Sequence, residues 1–209
     1  MSEMALFPLQ SVLFPDGELR LKVFEARYLD LMGRCLREDL PFGVVCLKRG
    51  SEVQRPESSD TVFEAVGVAA QVEDVDMPQT GIMLVRARGK ERFRVSEASR
   101  HHDGLWVAHI TTIDSDEPVA PDAAHASTVL ALANALAHLR ELFEAGEQNE
   151  MTSRGTAAER MDDAGWVANR WCELLPIPMV AKQSLMELQD PRVRLSLVDR
   201  YLRDKGVVR

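Results

Sequence analysis

Residues 19–36 read LRLKVFEARYLDLMGRCL, and two periods meet inside them. Leu19, Leu21 and Val23 alternate with Arg20 and Lys22, the period-2 pattern of a strand that buries one face. From Phe24 the apolar residues Phe24, Tyr28, Leu31, Met32, Cys35 and Leu36 recur three and four apart, which predicts an amphipathic helix over 24–36. Phe24 and Tyr28 then lie one turn apart and are expected to pack together. A strand that runs straight into a helix implies a sheet with that helix laid on it.

Outward from this stretch, strand-like segments occur at Met4–Leu6, Phe42–Leu47, Thr61–Val75, Gly81–Val95 and Leu105–Ile113. Phe42–Leu47 is continuously apolar, as in a strand covered on both faces, and the polar residues 48–60 read as its exposed loop. Closely spaced strands with one early helix predict a compact, partly closed antiparallel β-barrel. After Pro118 and Pro121 the period changes. Val129, Leu132, Leu136, Leu139 and Phe143 predict a long helix, residues 146–155 a polar break, and Met161, Ala164, Ala168, Trp171 and Leu175 a further helix ended by Pro176 and Pro178. Val180–Leu188 and Val193–Leu202 read as two short helices, the second with Asp190 as N-cap and Pro191 at its first position. The expectation is an α+β chain, with a barrel subdomain over 1–117 and a helical bundle over 118–209.

The 209 residues are 45% apolar and 28% charged, the balance of a folded globular protein. A net charge of −8 repels polyphosphate and argues against nucleic-acid binding over the whole surface. Cys35, Cys46 and Cys172 are odd in number and set in apolar or helical patterns, which fits buried thiols in a reducing compartment. With neither a signal-peptide pattern nor an apolar run of about 18 residues, a cytoplasmic protein without a membrane partner is expected.

Catalytic patterns are sparse. No GxxxxGK[ST] phosphate loop occurs, and Gly89-Lys90 lacks the leading glycine, so no nucleotide hydrolysis and no cofactor is expected. His101, His102 and His109 come without CxxC or HExxH spacing. With Asp103-Gly104 the first two read as a polar turn, and no metal is expected. Lys182 and Ser184 sit without a nucleophile elbow or an evident orienting group. The most unusual charge pattern is Arg86, Arg88, Lys90, Arg92 and Arg94 at alternate positions, which a regular strand lines along one face. That face serves either an acidic ligand or, the favoured reading, pairing with Glu73, Asp74 and Asp76 on a neighbouring strand.

Three strings in order, Leu6-Phe7-Pro8-Leu9, Val12-Leu13-Phe14-Pro15 and Val23-Phe24-Glu25-Ala26-Arg27-Tyr28, resemble the opening signature of Lon protease substrate-binding (N-terminal) domains. The resemblance continues through Phe42-Gly43-Val44-Val45, Val66-Gly67-Val68-Ala69-Ala70 and Gly89-Lys90-Glu91-Arg92-Phe93-Arg94-Val95. It reaches Leu174-Leu175-Pro176 and Lys182-Gln183-Ser184-Leu185. Asp16 stands where the family usually has glycine, Arg20 and Ala26 replace common prolines, and Lys22 replaces a frequent histidine. The resemblance implies a PUA-like barrel followed by helices, and a module that gathers polypeptides for an ATPase and protease. Those engines have no motif here, so the expected role is non-catalytic polypeptide binding, independent of ATP, with any proteolysis left to a separate protease or chaperone partner. Under the resemblance, Glu25, Arg27, Gly43, Gly67, Gly89, Arg92 and Phe93 carry the structural motif, and Phe14, Pro15, Phe24 and Tyr28 lie near a shallow apolar groove. Because PUA-like folds also bind RNA, the alternative is an RNA face formed by Arg86 to Arg94.

Overall fold

A computed structural model describes residues 2–52, 61–145 and 159–209. Part of the loop expected over 48–60, and the whole of the polar break at 146–155, lie outside the described residues. The chain divides into two compact units, Met1–Ser115 and Asp116–Arg209.

Among its described residues the first unit holds seven strands and one helix: β1 Ser2–Leu9, β2 Glu18–Val23, α1 Ala26–Glu38, β3 Phe42–Arg49, β4 Val62–Phe63, β5 Val66–Gln79, β6 Ile82–Arg100 and β7 Trp106–Thr112. Pairing runs from β1 through β7, β6, β5 and β3, and returns from β3 to β1. Five strands therefore form a ring, and the β1–β3 closure is parallel where every other pairing is antiparallel. The outer half of β6, Ile82 to Arg88, runs between β2 and the outer half of β5 instead, so the barrel is only partly closed.

The ring is covered on both faces along β1, β3 and the first half of β5, which explains their continuous apolar runs, while β7 and the end of β6 keep exposed residues. Along β1, Leu6 joins Val45, Ala69, Phe93, Ala108 and Ile110 in the barrel core, with Met4 packed against them. Its neighbour Phe7 points the other way and stacks on Tyr28 of α1, ring centroids 4.0 Å apart. Tyr28, Leu31, Met32 and Cys35 form the buried stripe of α1, as the helical period predicts. Phe24 departs from that expectation. The helix starts only at Ala26, Phe24 is 52% exposed, and Tyr28 packs on Phe7. Leu36, placed by its spacing on the buried face, is 45% exposed.

The second unit holds α2 Ala126–Ala145, preceded by a short 3-10 turn, then α3 Ala164–Leu174, α4 Met179–Glu187 and α5 Pro191–Asp204. Every residue of α3 from Ala164 to Cys172 is buried, so this helix is the axis of the unit. Trp171 Nε1 donates to the carbonyl oxygen of Thr128 on α2, 3.1 Å away. Arg194 of α5, 1% exposed, would be costly unless fully hydrogen-bonded. It donates to Asp116 Oδ2 at 2.6 Å, to Asn169 Oδ1 at 3.0 Å and to the carbonyl of Leu185 at 2.9 Å, and also to the carbonyl of Leu188. Helix starts follow their caps. Asp163 accepts from Gly165 N and Trp166 N, and Asp190 accepts from Arg192 N and Val193 N with Pro191 at the first position.

Candidate functional site

The residues expected to carry the family motif sit where backbone and ring approach too closely for larger side chains. A Cβ on Gly43 or on Gly67 meets Phe93 Cζ at 2.7 Å in each case, so the two glycines leave the space that the Phe93 ring fills. At Gly89 a Cβ collides with the carbonyl oxygen of Phe14. There Asp16 N donates to Gly89 O at 2.9 Å and Gly89 N to Gly17 O at 2.8 Å, pinning the 14–17 turn to β6. Asp16, at the position where a glycine is usual, has φ 61°, the left-handed conformation that favours glycine and that Asp tolerates better than most.

Glu25 and Arg27 form an ion pair at 2.9 Å, and Arg27 Nη1 donates to the carbonyl of Gly104 in the β6–β7 turn. The Arg27 guanidinium lies 4.4 Å from the Tyr28 ring centroid. Burial pushes the Tyr28 hydroxyl up to about 12, since the phenolate loses its water there, against a smaller opposing pull from Arg27.

The four residues expected near a groove separate by exposure. Phe14 is fully buried and Tyr28 is 4% exposed, so both belong to the core and offer no surface to a ligand. Pro15 is half-buried, and Phe24 alone is open. Phe24 directly follows β2, whose one strand partner among the described residues is β6. Along β2, Glu18, Arg20 and Lys22 are exposed while Leu19 and Leu21 are half-buried. An open strand edge therefore ends in an open aromatic ring. Leu40, just past α1, Val62 and Met77 are exposed apolar residues of this unit that the sequence reading did not single out; Leu40 follows the left-handed Asp39 that ends the helix.

The five alternating cations do not share a face. Between Gly89 and Arg92, β6 takes three steps where β5 takes two, and one extra residue inverts the alternation, so Arg92 and Arg94 fall opposite Arg86 and Arg88. A second irregularity brings Glu73 against both inner cations. Arg88 Nη2 donates to Glu73 Oε2 at 3.1 Å, and Arg86 lies 3.7 Å from Glu73 and 3.6 Å from Asp74. Arg92 donates to the carbonyl of Asp114 at 3.4 Å, while Lys90 and Arg94 are exposed.

Polar groups elsewhere are tied to the backbone. His101 and Gly104 close a hydrogen-bonded turn with Leu105, and among the described residues no three His, Cys, Asp or Glu side chains come together to hold a metal. Ser184 Oγ donates to the Val180 carbonyl at 2.9 Å, and Lys182 Nζ to the Glu173 carbonyl at 3.0 Å. An open groove in the second unit is lined by Pro121, Ala126, Val129, Leu130, Ala133 and Met161, with Asp122 and Asp162 its two ionisable groups. Cys35, Cys46 and Cys172 are free and buried, and burial raises each thiol, that of Cys172 to about 12. No helix among the described residues is long and apolar enough to cross a membrane.

Comparison with curated protein sequences gives no significant match. Among solved structures, the chain is similar to the Lon N-terminal domain protein from Xanthomonas campestris, at 28% identity and a TM-score of 0.72 over 96% of this chain and 99% of that one. The N-terminal domain of the Mycobacterium avium complex Lon protease shares the fold at 16% identity, with a TM-score of 0.62 over 97% of this chain and 99% of that one. The family model of the ATP-dependent protease La (LON) substrate-binding domain matches residues 3–204, nearly the full length of the chain, which therefore belongs to the Lon substrate-binding domain family.

Proposed function

We propose that this chain is a non-catalytic module that captures extended or unfolded polypeptide along the free edge of β2, without ATP, and presents it to a separate protease or chaperone in the cytoplasm. The observation that carries the reading is the exposed ring of Phe24 at the end of a strand edge that is unpaired among the described residues. A client strand added there gains main-chain hydrogen bonds, and Phe24 supplies an apolar anchor beside them. Glu18, Arg20 and Lys22 keep the edge soluble when it is empty, the usual protection of an edge strand. Family membership and three buried thiols support the role and the compartment. The RNA reading has less support, since Arg86 and Arg88 are held by Glu73 and the five cations divide between two faces.

The test is binding of reduced, carboxymethylated α-lactalbumin, a permanently unfolded chain, measured by fluorescence anisotropy. Replacing Phe24 with Asp should weaken binding by about 1–2 kcal/mol, roughly five- to thirty-fold, with the melting temperature unchanged. Equal affinity for the variant and the parent defeats the proposed site.

A further inference from the structure

The outer face of α5 carries two adjacent stripes. At 100° per residue, Val193, Leu197 and Tyr201 align one turn apart, and Arg192, Ser196 and Arg200 align beside them. Val193 is 45% and Leu197 44% exposed, Tyr201 is half-buried, and Arg192, Ser196 and Arg200 are exposed. The opposite face is fixed to its own unit by Leu195, Val198, Leu202 and the Arg194 network. The helix stops where Gly206, at φ 69°, donates to Arg203 O and Val207 donates to Leu202 O. What faces outward is thus a rigid, finished helical surface.

Charge identifies the occupant. Neither Arg192 nor Arg200 makes an ion pair with any described residue, unlike Arg203, whose guanidinium is held by Asp199. Two guanidinium groups with no ion pair among the described residues therefore flank an exposed apolar seam. We propose that this face docks an acidic amphipathic helix of a partner protein, its apolar seam against Val193 and Leu197 and its carboxylates against Arg192 and Arg200. One-turn spacing of apolar anchors flanked by charge is how helices recognise one another. An anionic membrane is disfavoured because its extended surface meets the −8 charge of the whole chain, whereas a single helix meets only this face. RNA gives the apolar seam nothing to bury against. The proposal does not depend on client capture at β2, and each can fail alone.

The probe is a synthetic helix of about three heptads with leucine in the seam and glutamate on its flanks, together with a twin in which lysine replaces glutamate. Binding of both to the whole chain is read by fluorescence anisotropy. The glutamate helix should bind and its twin should not. Leu197→Asp, with Leu197→Ala as a milder companion, should weaken binding about tenfold or more. The Arg192→Glu, Arg200→Glu double variant should transfer preference to the lysine twin, with thermal melting of all variants unchanged. Absence of binding at about 1 mM glutamate helix overturns the proposal. So does equal binding of the two helices, indifference to the charge reversal, or the same variants abolishing binding to phosphatidylglycerol vesicles or single-stranded RNA while the glutamate helix is ignored.

Discussion

Phe93 can occupy the barrel axis because glycine faces it from two strands, at Gly43 and Gly67. Gly67→Ala forces the ring or the β3 backbone to move and should cost about 1–3 kcal/mol, seen as a lowered midpoint in urea unfolding. Tyr28 yields a second expectation. Its hydroxyl titrates at about 12 in the fold against 10.0 ordinarily, so the folded state holds the proton longer than the unfolded one. Stability from this group is intact below pH 10 and falls as pH rises toward 12, by about 1.4 kcal/mol per unit within that window. Tyr28→Phe should flatten that part of the melting-temperature profile, and an unchanged slope rules the assignment out. At this scale the sequence told residue type better than exposure. Phe14, Phe24 and Tyr28 are all aromatics within one motif, yet a turn pinned to Gly89 buries the first, a late helix start exposes the second, and stacking on Phe7 covers the third.

Elements were most legible where the signal is local. Asp190-Pro191 announces the start of α5, and the side chain caps it as that pattern requires. Asp190→Ala should therefore cost about 1 kcal/mol in thermal melting, while Asp190→Asn retains most of the cap. Strand pairing was less legible, because its decisive features are irregularities with no local signature. The stretch 61–75 reads as one strand but is divided into β4 and β5 by Glu64 and Ala65, with the Lys48–Glu64 ion pair at that break. The alternating cations of β6 depend on register with β5. An extra residue near Lys90 on one strand and another at Glu73 on its partner turn a predicted stripe into paired charges and two separated exposed ones.

For the whole molecule, composition and period account for an α+β chain whose further helices follow its strands, and the motif strings account for the family. The parallel β1–β3 closure had no sequence cue, since it joins residues about forty apart through neither a hairpin nor a βαβ repeat. It also has a consequence in time. Leu6 pairs with Gly43 on one side and with Trp106 on the other, so β1, once synthesised, waits for a partner made 100 residues later. At about 5–20 residues per second that delay is roughly five to twenty seconds. Throughout it, the nascent chain presents in Ala5 to Leu9 an apolar strand with an unfilled edge, the same kind of segment that the finished protein is proposed to capture.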